Sequence, residues 1–148
     1  MIREELKKIY LKLLYPFLIL IVLIYLGQFL GIFGRVDKEF SKNISVTLLV
    51  LTALFSVALP IFYRSLFANK VKDMKSITVN EFLKFEKNLI IIAMVAPYFL
   101  VFTVLLNLSG FYFGTIVIIA LYAAYYYYPS EKRIKFEKKL FRISEKAG

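Results

Sequence analysis

The charged residues of this chain, which are the first candidates for chemistry, all lie outside its long apolar segments. Asp, Glu, Lys and Arg all lie outside four uncharged runs, at 13–34, 43–63, 88–106 and 111–129. Histidine and cysteine are absent, which excludes His-ligated haem, thiolate metal sites, disulfides and thiol redox chemistry. Hydroxyl groups remain in the runs, but without a base to activate a nucleophile. The sequence therefore predicts no catalytic, cofactor-binding or metal-binding residue.

Neutral polar side chains inside these runs are the remaining candidates for a membrane function. Gln28 and Asn107 are expected near the outer face, where each could hydrogen-bond to a neighbouring helix. Asn107 could equally cap the turn in which it lies. Ser45, Thr52 and Ser56 recur on one face of a helix. Proton relays in membranes rely on charged groups, and the four runs contain none. Any pathway for a substrate or an ion would therefore have to be lined by these neutral polar side chains.

Small residues at helical spacing form a second pattern. Small-residue faces let helix backbones approach closely, either within one chain or between subunits. GxxxG motifs also arise by chance, so the pattern is a weak one. The predicted packing residues are Gly27, Gly31, Gly34, Ser45, Thr52, Ser56, Gly110, Gly114, Ala120 and Ala124.

The elements that carry these residues are predicted to be membrane-spanning helices. About 20 apolar residues cross a hydrocarbon core of ~30 Å, which matches each uncharged run. A single helix over 88–130 would be about 65 Å long, far more than one crossing needs. Asn107, Ser109 and Gly110 tolerate turn geometry, so a hairpin at 107–110 divides this stretch. We expect an all-α integral membrane four-helix bundle, in keeping with a mean hydropathy of +0.70.

Charge sets the expected orientation of the bundle. Basic residues are concentrated in 1–12, 64–87 and 130–148, so the positive-inside rule places both termini and the middle connection in the cytoplasm. The segments 35–42 and 107–110 are then external. The expected location is a prokaryotic inner membrane, crossed several times.

Several local features refine this threading. The tyrosines Tyr125, Tyr126, Tyr127 and Tyr128 are predicted to anchor the fourth helix at the interface. Pro97 is expected to kink the third helix. Thr78 and Glu81 have capping-box spacing, which predicts a helix start near Val79, below the membrane.

The cytoplasmic segments are predicted to be amphipathic and basic. The tail has a basic face and an apolar face, as in a helix that lies among lipid headgroups, although Arg133 and Glu137 interrupt the apolar side. The expected surface for anionic lipid or an acidic partner comprises Arg64, Lys70, Lys72, Lys75, Lys132, Arg133, Lys135, Lys138, Lys139 and Arg142. The alternative is that these residues reflect only the positive-inside bias of membrane proteins and bind no particular partner.

The sequence favours a non-catalytic structural or accessory subunit that packs against other membrane subunits or against itself. The alternative is a small homo-oligomeric channel, flippase or lipid-handling transporter without a protonatable membrane residue. A membrane enzyme acting on lipid is less favoured because bases and metal ligands are missing. Anionic membrane lipids are expected partners, whereas no motif indicates nucleic-acid binding or a cofactor.

Overall fold

The structure, a computed structural model, describes residues 1–32, 38–108 and 110–143, with side chains for all of these except 38–41. Within these ranges 83% of the chain is helical and no strand forms, which confirms the all-α class. Gly34 and Ser109, predicted for a packing face and for the hairpin turn, lie outside the described residues.

The first helix, α1 (Ile2–Phe29), is uninterrupted, so the charged N-terminal segment and the first apolar run form one element. It ends earlier than the predicted residue 34 because Gly31 adopts a positive φ of 72°. The Gly31 N–H donates to the Gln28 carbonyl, and the Ile32 N–H donates to the Gly27 carbonyl. This is a Schellman cap, which satisfies carbonyls that the last helical turn leaves open.

The second long helical stretch contains a π-helical segment. Helix α2 (Lys38–Ala53) passes into the π-helical residues Leu54–Ala58 and then into α3 (Leu59–Val71). Pro60, at the start of α3, lacks an N–H and its ring crowds the carbonyl four residues earlier. The wider π turn just before it is the local adjustment expected next to such a residue.

The third stretch consists of α4 (Val79–Ala93) and α5 (Val95–Leu105), which are separated by a turn at Met94. The predicted capping box is confirmed, since the Thr78 hydroxyl accepts the Glu81 N–H and the Glu81 carboxylate accepts the Thr78 N–H. Pro97 lies in the first turn of α5, three residues after the break. Asn107 ends α5 with a positive φ of 52°.

The last two helices meet at an angle of 72°. Helix α6 (Phe111–Tyr126) begins after Gly110, whose φ is 81°, and α7 (Glu131–Leu140) begins at the N-cap Ser130. Three helical stretches, Ile2–Phe29, Lys42–Val71 and Val79–Leu105, are long and apolar enough to cross a membrane, and the bent pair α6–α7 supplies a fourth candidate.

Helix α5 occupies the centre, in contact with α1, α2 and α6. Buried apolar residues form two cores. The cap core comprises Ile2, Leu6, Tyr10, Ile77, Phe82, Phe85, Leu89, Ile90, Ala93, Met94, Tyr127, Ile134 and Phe141. The midspan core comprises Ile24, Leu48, Leu100, Val101, Val104, Leu108, Ile116 and Ala120. The cap core thus joins the start of α1, the α3–α4 connection and the tail at one end of the bundle.

Candidate functional site at one end of the bundle

A buried ion pair joins the tail to the third helical stretch. The Arg133 Nη2 lies 2.5 Å from Oε2 of Glu86, whose side chain is fully buried. Arg133 also donates from Nη1 to the Tyr127 carbonyl at 2.7 Å, and its guanidinium lies 5.6 Å from the centre of the Tyr127 ring. The second carboxylate oxygen of Glu86 accepts no hydrogen bond from the described residues. Arg133 therefore ties α4 and the end of α6 to α7.

A second ion pair holds the tail against α3. The two terminal nitrogens of Arg64 contact the two carboxylate oxygens of Glu137, at 2.9 and 3.0 Å, in a bidentate geometry. Burial raises the pKa of Glu137 above its ordinary value, while the charges of Arg64 and Arg133 oppose that rise. Removing one partner from such a pair would leave the other charge buried and uncompensated.

Aromatic rings surround this network and belong to the cap core. The Phe85 ring stacks on Phe67 with centroids 4.0 Å apart and meets the edge of Phe141 at 5.3 Å. Tyr63 stacks on the same ring at 5.6 Å, and its hydroxyl accepts a hydrogen bond from Asn88 Nδ2 at 3.0 Å. Side chains from α3, α4 and the tail are thereby fixed in one cluster.

The four consecutive tyrosines have two different environments. Tyr125 and Tyr126 are exposed at the end of α6, as an interface anchor requires. Tyr127 is buried in the cap core and Tyr128 packs edge-on against Tyr10 at 5.3 Å. The Tyr10 hydroxyl also donates to the Ala124 carbonyl at 2.7 Å, which links α1 to α6.

The hydroxyl face of the second stretch is turned into the bundle. Ser45, Thr52 and Ser56 are all buried. Thr52 donates to the Leu48 carbonyl at 2.6 Å and Ser56 to the Ala53 carbonyl at 3.3 Å, so both hydroxyls bond to their own helical stretch.

Gln28 is the polar side chain that links two stretches near the other end. Its amide donates to the Val104 carbonyl, which joins α1 to α5. Asn107 donates its backbone N–H to the same carbonyl at 3.0 Å, and the Leu108 N–H reaches the Thr103 carbonyl. Asn107 is thus a helix cap in αL conformation, which Asn tolerates better than most residues.

The predicted small packing residues fall into two groups, those that are buried in the bundle and those that have open space around them. Gly27 and Ala120 are buried, and Ala124 is half-buried. A Cβ added to Gly31, Gly110 or Gly114 would meet no atom of the described residues within 4 Å. Close packing of another described helix is therefore not seen at these three glycines, and packing between subunits stays a prediction. Gly31 and Gly110 have positive φ angles, which explains glycine at both positions.

Two arginines of the predicted basic surface form ion pairs with buried carboxylates of the same chain. Arg64 and Arg133 form the ion pairs described above, and Lys135 pairs with Glu131 at 2.7 Å on the surface. Lys70, Lys72, Lys75, Lys132, Lys139 and Arg142 are exposed, whereas Lys138 is half-buried.

Sequence reasoning missed the two carboxylates of the network. Glu86 lies just before the third uncharged run, in the predicted cytoplasmic connection 64–87, and its position there does not predict a buried carboxylate. The interruption of the apolar tail face by Arg133 and Glu137 was the available signal. Ile134, Glu137 and Phe141 point into the protein, and Phe136 and Leu140 point outward, so the apolar residues of the tail do not share one lipid-facing side.

The two ion pairs and the aromatic cluster connect α3, α4 and the tail. Within the described ranges no group of three or more Asp and Glu residues is placed to hold a metal ion. Comparison with known protein families, curated proteins and solved structures finds no match to this chain.

Proposed function

We propose that this chain is a non-catalytic structural or accessory subunit of a prokaryotic inner membrane, with four crossings and both termini in the cytoplasm. In this proposal the cap core and its ion pairs form a folded cytoplasmic platform, and the spans provide the surface for neighbouring membrane subunits. The basic surface around the platform would meet anionic lipid.

One observation carries the proposal: the buried hydroxyls of Thr52, Ser56 and Thr103 donate to carbonyls of their own helical stretches. The hydroxyl of Thr103 donates to the Phe99 carbonyl at 2.8 Å, four residues earlier, and Thr52 bonds in the same pattern. Each of these hydroxyls uses its one proton on its own helix and so has no proton left to donate to a substrate. The two ion pairs with buried carboxylates lie instead at the cap end, where they hold segments together.

The uncovered surface of α1 favours a partner for this stretch. In its most apolar 18-residue window only 11% of the residues are buried, against 56% for Val79–Leu105. Exposed apolar side chains along α1 include Ile19, Val22 and Leu26. Another subunit or lipid must cover this face in a membrane.

The alternative, a homo-oligomeric channel, flippase or lipid-handling transporter, receives less support. Its pathway would have to be lined by Gln28, by Asn107 and by the hydroxyl face of Ser45, Thr52 and Ser56. Instead, these hydroxyls are buried inside one chain, and Gln28 is bonded to α5.

Purification in mild detergent followed by identification of co-eluting proteins tests the proposal. We expect unrelated membrane subunits at fixed stoichiometry with the chain. A discrete homo-oligomer without other subunits would contradict the accessory role. Flux or lipid scrambling in liposomes that is lost in Thr52→Leu would establish the alternative.

A further inference from the structure

A groove of about 400 Å³ opens where α6 ends and α7 begins. Its walls include Arg64 from α3, Tyr125 and Tyr126 from α6, and Lys132 and Phe136 from α7. Because α7 turns by 72° from α6, it runs across the direction of the spans. In the proposed threading the groove therefore lies at the level of the cytoplasmic headgroups.

The groove gathers polar groups that the fold leaves unused. Among the described residues, the hydroxyls of Tyr125 and Tyr126 accept or donate no hydrogen bond, and Lys132 has no carboxylate partner. Arg64 uses one N–H of each terminal nitrogen on Glu137 and keeps its remaining N–H groups. A cation and several hydrogen-bond donors thus line one recess.

Charge in the groove is complementary to a singly charged anion. Arg64 pairs with Glu137, and Arg133 pairs with Glu86 behind it, so Lys132 is the lining cation that has no carboxylate partner among the described residues. A phosphate diester carries one negative charge and accepts several hydrogen bonds at once. The lining therefore matches the phosphate of a phospholipid.

Large apolar rings flank the same groove. Tyr125 is 86% exposed and Phe136 is 61% exposed within the chain. Rings at the boundary between an apolar span and a charged helix are positioned to lie along acyl chains. A free phosphate ion would gain nothing from these rings, so the groove suits the phosphate of a lipid better than inorganic phosphate.

We propose that this groove binds one anionic glycerophospholipid, with its phosphate against Lys132 and Arg64 and its acyl chains beside Tyr125 and Phe136. The proposal rests on the membrane threading given above, but it does not depend on the accessory role.

Native mass spectrometry of the detergent-purified full-length chain tests the charge requirement. With phosphatidylglycerol we expect one tightly retained lipid, and with phosphatidylcholine markedly less. Lys132→Gln should reduce retention of phosphatidylglycerol about fivefold, as expected for one basic residue at a membrane surface. Lys135→Gln removes the same charge from the same helix outside the groove and should leave retention unchanged. Equal losses in both variants would overturn the proposal in favour of general attraction to a chain of net charge +10.

Tryptophan fluorescence tests the position of the acyl chains, since the chain has no tryptophan of its own. In liposomes containing brominated phosphatidylglycerol, Phe136→Trp should be quenched more than with brominated phosphatidylcholine. Phe62→Trp is a matched control, because Phe62 is also 61% exposed but lies outside the groove, and both lipids should quench it equally. Equal quenching of both variants by both lipids would reject a selective site. A chain that stays soluble without detergent would instead reject the membrane threading.

Discussion

The two cores of this chain are built by different means. The cap core and the side chains packed against it include stacked aromatic rings, two ion pairs with buried carboxylates and residues of four helices, α1, α3, α4 and α7. The midspan core is mostly aliphatic, and many of its neighbouring hydroxyls bond to their own helices. Burial of apolar surface stabilises a core that faces water, whereas in lipid it gives little driving force between helices. In the proposed threading, the cap would therefore be stabilised as a water-facing protein is, while the spans would depend on close packing and a few hydrogen bonds.

The largest expected effect comes from breaking the buried pair in the cap. Arg133→Met leaves the Glu86 carboxylate buried without a partner, which should cost about 3–5 kcal/mol of unfolding free energy. Chemical unfolding in mixed micelles measures this loss. The additional change Glu86→Leu should restore much of the stability, because it removes the uncompensated charge. A double variant no more stable than Arg133→Met would show that the pair itself is not what matters.

Truncation of one phenylalanine in the cap and one in the spans should give an almost equally large difference in unfolding free energy. Phe85→Ala removes a buried ring that stacks on Phe67 and Tyr63, and should cost about 3–5 kcal/mol. Phe102→Ala, at a 52% exposed position of α5, should change stability by about 0.5 kcal/mol or less. Thermal unfolding in detergent gives both values. Similar losses would mean that the cap is not the better-packed region.

Hydrogen bonding within the spans should have a smaller effect. Gln28→Ala removes the bond from α1 to the Val104 carbonyl and should cost roughly 0.6–2 kcal/mol. Thr47→Val is the control, because the Thr47 hydroxyl bonds only to Asn43 in its own helix and is exposed. Unfolding in mixed micelles should leave this control within about 0.5 kcal/mol of the original chain. If both variants behave alike, Gln28 does not link the helices.

The smallest effect concerns the glycines. Gly31→Ala places a Cβ on a residue with positive φ and should cost about 1 kcal/mol. Gly114→Ala should not destabilise the chain, since its Cβ enters open space on a helix with ordinary geometry. Thermal melts compare the two. A large loss of stability in Gly114→Ala would reveal a subunit interface on α6. An unchanged stability in Gly31→Ala would contradict the role of Gly31 as a helix cap.

Local signals in the sequence predicted local structure well. Thr78 and Glu81 have the side chains that a capping box needs, and the box forms. The polar turn near Asn107 and Gly110 separates α5 from α6, since both residues accept positive φ angles. Alternating uncharged runs and basic segments also predicted the helical class.

Long-range pairing could not be predicted in the same way. Glu86 and Arg133 are far apart in sequence, and although Arg133 interrupts the apolar face of the tail, nothing in either segment identifies its partner. Only the angle between α6 and α7 brings them together, and that angle depends on the packing of Ile134 and Phe141. The spacing of the glycines could not distinguish a packing face from a helix cap, because a GxxxG pattern carries no information about the backbone φ, which is positive at Gly31.

The central claim is that the cap end, with both terminal segments and the middle connection, lies on the cytoplasmic side of the membrane. Single cysteines at exposed positions test it directly, because the chain has no cysteine of its own. In cells expressing Lys8→Cys, Lys75→Cys or Lys139→Cys, a membrane-impermeant maleimide should label the protein only after permeabilisation. Phe111→Cys, at the opposite end, should be labelled in intact cells. Labelling of Lys8→Cys and Lys139→Cys from opposite sides, or of Phe111→Cys from the same side as both, would contradict the account.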